Sequence, residues 1–319
     1  MTEQGKITPA RPDAPFTDPD VTAKGEPRAK VALEKLDTLW FNTGTLCNIE
    51  CIDCYIESSP TNDRLVYFPL DEMKTYLDEI EKDGLPTREI AFTGGEPFMN
   101  PEMNAMAAEA LGRGYEVLIL TNAMRPMMRP RVQDPLAALI AEYGDKLTLR
   151  ISLDHHSAEA HDRLRGKNAF ERTLEGMRWL KSKGARLAVA GRTIFGESDA
   201  VSRDGYAALF KTEGFDIDAA NPGMCVLFPE MDEKVATPEV TNACWTILDK
   251  SPSAVMCSSS RMVVKRKGAK APAVIACTLL PYSPEFELGE TLADASRSVA
   301  LNHPHCSKFC VLGGASCSA

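Results

Sequence analysis

Between Leu36 and Glu213, short apolar runs and amphipathic helical runs alternate without interruption, and few folds accommodate that pattern. Strand-like segments lie at Leu36–Asn42, Glu89–Phe92, Glu116–Thr121, Lys146–Ser152 and Arg186–Thr193. Helix-like segments separate them at Leu70–Lys82, Pro101–Arg113, Pro135–Tyr143 and Phe170–Lys183. Met73, Leu77 and Ile80 share one face of the first helix, and Gly184 is placed to end the last of these. Parallel strands need long crossovers, which helices provide. A further helix at Gly205–Glu213 and a sixth strand near Ile217–Ala220 complete six units. The expected fold is α/β: a partial (β/α)6 TIM-like barrel, whose chemistry gathers at the C-terminal ends of its strands.

One strand exit is chemically distinctive. After Leu36–Asn42 the chain reads Thr45-Leu46-Cys47-Asn48-Ile49-Glu50-Cys51-Ile52-Asp53-Cys54-Tyr55, a C-x3-C-x2-C triplet. Three thiolates on one loop can hold three irons of a four-iron cluster, leaving the fourth iron open to a small molecule. An open metal position belongs to chemistry rather than to scaffolding. The competing reading is a zinc loop completed by a distant His or Cys, although zinc loops mostly pair their cysteines as matched modules. The next strand exit, Ile90-Ala91-Phe92-Thr93-Gly94-Gly95-Glu96-Pro97, adds a Gly-Gly-Glu-Pro turn.

Together these residues resemble the radical S-adenosylmethionine (SAM) superfamily, with its cysteine loop after the first barrel strand and a GGE-type motif after the second. The likeness continues through Ile119-Leu120-Thr121-Asn122, Arg150-Ile151-Ser152-Leu153-Asp154 and His161-Asp162-Arg163-Leu164-Arg165-Gly166. It extends to Phe170-Glu171-Arg172-Thr173-Leu174 and spans Leu36 to Phe195. Asp53 departs from the pattern, since many members carry an aromatic residue or His before the third cysteine; Tyr55 is common in the branch with auxiliary clusters.

The resemblance implies a [4Fe-4S] cluster on Cys47, Cys51 and Cys54, with SAM chelating the open iron. One electron would cleave SAM to methionine and a 5′-deoxyadenosyl radical, which abstracts hydrogen from a substrate. Gly94 and Gly95, lacking Cβ atoms, would let backbone approach a ligand, and their carbonyls with Glu96 would accept from the SAM ammonium. Asn122, Ser152 and Asp154 would contact the ribose and methionine moieties, and Tyr55 would adjoin the cofactor. Arg165 would hold the SAM carboxylate as a bidentate pair, or else form a surface ion pair. His155 and His156 read as solvated loop histidines.

Cysteines become dense beyond the barrel. Cys257 and Cys277 bracket a hairpin with arms Arg261–Lys265 and Ala273–Cys277, followed by Cys306-Ser307-Lys308-Phe309-Cys310. This resembles the single-cluster Twitch region; it is too short and cysteine-poor for the two-cluster SPASM version. The spacing from Gly268 to Cys277 is longer than that pattern usually has. The implied ligands of a second [4Fe-4S] cluster are Cys257, Cys277, Cys306 and Cys310, with a structural zinc on the same four as the alternative and Cys317 as a substitute ligand. Cys244 and Cys225 read as buried thiols. Cys225, near the sixth strand's exit, is also a candidate catalytic hydrogen donor to a substrate radical.

Three segments are expected: a flexible N-terminal lead over 1–34, the radical SAM partial barrel over 35–235, and the Twitch-like auxiliary region over 236–319. Ten cysteines without an apolar signal segment suit a cytoplasmic protein that ligates metal rather than forming disulfides. No run approaches the ~20 apolar residues that span a bilayer. A net charge of −9 argues against nucleic acid as partner. The basic stretch Arg261–Lys270 reads as a solvated hairpin or a docking site for an acidic partner. The function expected is that of a radical SAM oxidoreductase or related radical enzyme, fed by a flavodoxin- or ferredoxin-type electron donor. The short lead leans towards a small-molecule substrate, with peptide modification and redox-neutral epimerisation or rearrangement as alternatives. A non-catalytic iron–sulfur or zinc binding protein is the contrasting class.

Overall fold

Six strands lie side by side in sequence order, all parallel: β2 (Thr38–Asn42), β3 (Glu89–Thr93), β4 (Glu116–Thr121), β5 (Leu147–Ser152), β6 (Arg186–Thr193) and β7 (Cys225–Pro229). The computed structural model describes residues 14–230 and 235–314. Helices α1 (Leu70–Asp83), α2 (Met103–Gly112), α3 (Pro130–Tyr143), α4 (Ala158–Arg165), α5 (Ala169–Ser182) and α6 (Asp199–Glu213) form the crossovers. Every residue of β2 is buried, as expected of a strand covered on both faces. In α1 the stripe Met73, Tyr76, Leu77 and Ile80 is buried, and the helix stops at Gly84 in the left-handed region that glycine tolerates. Phe41 meets the rings of Phe68, Phe92 and Tyr76 at 5.3, 6.1 and 6.2 Å, sealing the sheet to this helix layer.

The sixth strand is not Ile217–Ala220. That stretch runs into a turn in which the Asp218 carboxylate accepts from the Ala220 amide and the Asn221 side chain accepts from the Gly223 amide. Extended pairing with β6 begins only at Cys225, beyond Pro222-Gly223.

After β7 the chain passes through α7 (Ala243–Ile247) and returns to the opposite side of the sheet. There β8 (Ser260–Val264) lies parallel to β2, with Leu39 opposite Arg261. A hairpin to β9 (Ala273–Ile275) and then β10 (Glu287–Gly289) completes a nine-stranded sheet in the order β10-β9-β8-β2-β3-β4-β5-β6-β7. The cysteine-rich region therefore continues the barrel's own sheet. The π-helical turn Cys306–Leu312 lies over the far edge, where Phe309 meets Phe228 at 4.9 Å.

Residues 14–34 do not form the flexible lead expected of them. Strand β1 (Lys30–Val31) pairs with β11 (Val299–Ala300). Arg28 is buried, donates to the carbonyls of Asp18, Val21 and Leu301, and pairs with Glu239. The basic hairpin is likewise less solvated than its composition suggests: Arg261 is buried, and Lys265, Arg266 and Lys267 pair with Glu72, Glu287 and Asp63. No helix among the described residues is long and apolar enough to cross a membrane.

Candidate active site

Side chains alternate across a strand, so every second residue of the barrel faces inward. Near the strand exits these are Trp40, Thr93, Leu120, Ser152, Ala190, Arg192 and Phe228, and they line one cleft of about 990 Å3, mouth included. Cys47, Cys51 and Cys54 line the same cleft, with Tyr55, Gly94, Gly95, Asn122, Asp154 and Arg165. Residues spread over more than a hundred positions of sequence thus meet where the barrel rule puts the chemistry.

The cysteine loop is held at three points. Cys47 donates its amide to the Ser59 carbonyl (3.0 Å), and Ile52 donates to the Leu164 carbonyl at the end of α4 (2.9 Å). The third is the Gly-Gly turn, through Gly95 N–H to Gly44 O (2.8 Å) and Glu96 N–H to Leu46 O (3.2 Å). A Cβ on Gly95 would lie 2.3 Å from Leu46 O, and one on Gly94 would lie 2.5 Å from Gly44 O. The backbone these glycines admit is therefore first of all that of the cysteine loop's own base. Asp53 sits in the left-handed region at φ 56°, which Asp tolerates better than bulky residues, and only its carbonyl is used, by Arg192 at 3.4 Å.

Among the described residues, no three cysteine Sγ atoms lie within 4.8 Å of one another. Burial pushes the Cys47 thiol up to about 12, and it raises that of Cys51 against the opposing charge of Arg165. Their deprotonation at neutral pH thus calls for a bound cation.

Glu96 is buried but does not line the cleft. Its carboxylate accepts from Thr121 Oγ1 (2.7 Å), the Asn122 amide (2.8 Å) and the Phe98 amide (3.2 Å), tying the exit of β3 to that of β4. Burial drives it up to about 7 against those three donors. These bonds tie the Glu96 carboxylate to the exits of both strands. Asn122 donates to Asn48 (2.9 Å) beside Cys47, and its own oxygen accepts from the Met124 amide (3.0 Å).

Asp154 and Arg165 are found together. Arg165 grips the carboxylate with Nε (2.7 Å) and Nη2 (2.9 Å), and Arg192 Nε stands 3.4 Å away. Burial raises the Asp154 carboxyl, but the two guanidinium charges outweigh it and hold it at about 2. Asp154 is thus held by both arginines, and the grip of Arg165 on it uses Nε and Nη2. Arg192, not anticipated from the sequence, also lines the cleft and stacks over Tyr55 at 5.4 Å. Its only early signal was a charged residue near the end of an otherwise apolar strand.

Cys225 does not line the cleft; it stands out of phase with Val226 and Phe228 along β7, facing the helix layer. This removes the geometric basis for hydrogen donation to a substrate radical. His155 is buried rather than solvated and clusters with His156 and Glu197, their ligand atoms within 4.8 Å. The Ser157 amide donates to His155 Nδ1 (3.0 Å), so Nε2 carries the proton and donates to Glu197 (3.1 Å). The trio thus forms a clamp between the exits of β5 and β6.

The four C-terminal cysteines expected to act together, Cys257, Cys277, Cys306 and Cys310, line one apolar cavity. Leu279 belongs to the walls of both this cavity and the barrel cleft, and Tyr55 meets His305 ring-to-ring at 6.4 Å. Cys244 lies elsewhere, its sulfur accepting from the Thr241 amide (3.4 Å), and Cys317 lies outside the described residues.

The sequence profile of the Radical SAM superfamily matches residues 41–200. The antilisterial bacteriocin subtilosin biosynthesis protein AlbA of Bacillus subtilis (strain 168) is 33% identical over 145 residues, 45% of this chain and 30% of that protein. An AdoMet-dependent heme synthase of Methanosarcina barkeri (strain Fusaro / DSM 804) is 31% identical over 139 residues, 42% of this chain and 36% of that protein. The chain thus spans about a third of the length of these relatives. The crystal structure of Streptococcus suis SuiB bound to S-adenosylmethionine aligns with a TM-score of 0.57 at 11% identity, over 80% of this chain and 63% of that one. At that identity the likeness speaks for the fold.

Proposed function

This chain belongs to the radical SAM superfamily, and from that premise we propose that it binds SAM in the barrel cleft and abstracts hydrogen from a substrate beside it. A four-iron cluster on Cys47, Cys51 and Cys54, when bound, supplies the electron that cleaves SAM. Arg165, through the edge left over by Asp154, holds the SAM carboxylate. Gly94 and Gly95 offer carbonyls to its ammonium, with Ser152 and Asn122 beside the ribose. Glu96 and the Gly-Gly turn keep the cysteine loop in register with these groups. The observation that carries this reading is the convergence of the triplet with Gly94, Gly95, Asn122, Ser152 and the Asp154–Arg165 pair on one cleft.

A second four-iron cluster on Cys257, Cys277, Cys306 and Cys310 fits the other cavity, one layer of side chains away. It would accept an electron from a substrate radical, which favours net oxidation. Apart from Asp154, Arg165 and Arg192, which cluster at one wall, and the cysteines, the cleft is lined by uncharged residues, which favours an uncharged part of the substrate entering it. A small molecule meets that condition, as does the side chain of a peptide; SuiB has been solved bound to precursor peptide SuiA. A flavodoxin- or ferredoxin-type protein serves as electron donor. Anaerobically reconstituted protein given dithionite and SAM should release 5′-deoxyadenosine. Failure to release it with a filled triplet site would overturn the reading.

A further inference from the structure

Arg261 is a buried cation without a carboxylate. At 1% exposure, it donates through Nε to the Ala295 carbonyl (2.8 Å) and through Nη1 to those of Cys257 (2.6 Å) and Ser260 (2.8 Å). Its Nη2 donates to the Arg297 carbonyl (3.3 Å). Three basic neighbours on the same hairpin, Lys265, Arg266 and Lys267, each have a carboxylate partner. Among the described residues none stands within ion-pair reach of Arg261. Arg28, the other buried arginine of this region, is paired with Glu239. Carbonyl dipoles satisfy the N–H groups but leave the net charge, and a buried uncompensated charge is costly.

Negative charge must therefore be found nearby. Arg261 grips the backbone of Cys257, and Cys257 lines the cavity it shares with Cys277, Cys306 and Cys310. The other lining residues of that cavity include no carboxylate. Four thiolates outnumber the two positive charges of an oxidised four-iron core, so the assembled site is a dianion and one-electron reduction makes it a trianion. A fixed cation stabilises the trianion more than the dianion.

We propose that Arg261 is the counter-charge of the auxiliary cysteine site and raises the reduction potential of the cluster bound there. The inference rests on the auxiliary-cluster reading above and adds to it a residue outside the ligand set. In the reaction concerned, one electron from a mediator reduces the cluster and no bond is made or broken. Arg261 is a positioning residue, acting through charge and through the Cys257 carbonyl.

Wild-type, Arg261→Lys and Arg261→Met proteins should be reconstituted anaerobically, assayed for iron and zinc, and titrated by EPR against mediator potential. The cluster on Cys47, Cys51 and Cys54 serves as internal reference. Arg261→Met should disfavour reduction of the auxiliary cluster by roughly tenfold, a fall of 59 mV for one electron. Arg261→Lys should stay near wild type, and the reference cluster should not move. An unchanged auxiliary midpoint in iron-replete Arg261→Met, or equal shifts of both clusters, overturns the proposal and leaves the auxiliary-cluster reading intact. If Arg261→Met loses the cluster, Arg261→Lys decides: retention supports the charge, and loss shows that the hydrogen-bond fork alone matters. Wild-type protein holding one zinc and a single cluster would overturn the auxiliary-cluster reading and this proposal together.

Discussion

Replacing Gly95 with alanine puts a methyl carbon 2.3 Å from the Leu46 carbonyl oxygen and 2.8 Å from that of Thr45. Gly95 has no left-handed φ, so the whole effect arises from contact. Relief requires β3 and the cysteine loop to part by about 1 Å, because Cβ···O contacts below 3.0 Å are essentially never seen. That separation breaks Gly95 N–H to Gly44 O and Glu96 N–H to Leu46 O. At ~1 kcal/mol net for each bond, plus ~1–2 kcal/mol for overpacking, Gly95→Ala should cost about 3–4 kcal/mol. The assay is urea unfolding of the cluster-free protein, with iron content after reconstitution as the second readout. Gly112→Ala is the control, since its nearest neighbour is Tyr143 Oη at 4.0 Å and it ends a helix, where alanine should be neutral or stabilise by up to ~1 kcal/mol. Gly95→Ala within 0.5 kcal/mol of wild type, with a full complement of iron, would refute the claim that this close approach holds the cysteine loop.

Asp154→Asn leaves the Arg165 and Arg192 guanidinium groups buried without their shared carboxylate, and should cost about 3 kcal/mol in the same unfolding assay. Because the folded carboxyl sits at about 2, its contribution is present above the ordinary carboxylate range and fades as pH falls towards about 2. The variant should lose that part of the acid limb, and a superimposable acid limb would count against the pair. Cluster-free protein should weaken in the alkaline range for the opposite reason. The buried thiols of Cys47, Cys225 and Cys306, each pushed up to about 12, keep protons that the unfolded chain releases. Stability should therefore fall from about pH 9, by at most ~1.4 kcal/mol per pH unit per thiol, and Cys47→Ser should flatten the slope. Cys225→Ala should leave 5′-deoxyadenosine formation and substrate turnover unchanged, since the thiol faces the helix layer; loss of turnover in a stable variant would restore it to the chemistry.

The parts of the site legible in the sequence are those whose chemistry is local. The triplet Cys47, Cys51 and Cys54 marked its loop as the one to place first, and Gly94-Gly95 signalled a close approach because glycine is costly wherever it is not needed. The alternation of apolar runs located five of the six barrel strands, while β7 was missed because Ile217–Ala220 is apolar enough to read as a strand but runs into the turn at Pro222-Gly223. What sequence hid is pairing at a distance. Nothing in Asp154 says that Arg165 and Arg192 will occupy it, and nothing in Arg28 or Arg261 says that a basic residue in a basic stretch will be buried. The pairing of β8 with β2 was equally invisible, since parallel neighbours are chosen by the packing of the whole sheet. The three hydrogen bonds that Glu96 accepts within the protein were likewise not visible in its motif.

The claim on which the rest depends is that the loop triplet carries a four-iron cluster with one iron left for SAM. Mössbauer spectra of iron-57-reconstituted protein lacking the auxiliary ligands, as in Cys306→Ala/Cys310→Ala, test it directly, recorded with and without SAM. Addition of SAM should change the spectrum of a single iron in the cube and leave the other three as they were. Spectra indifferent to SAM, or zinc in place of iron on Cys47, Cys51 and Cys54, would contradict it.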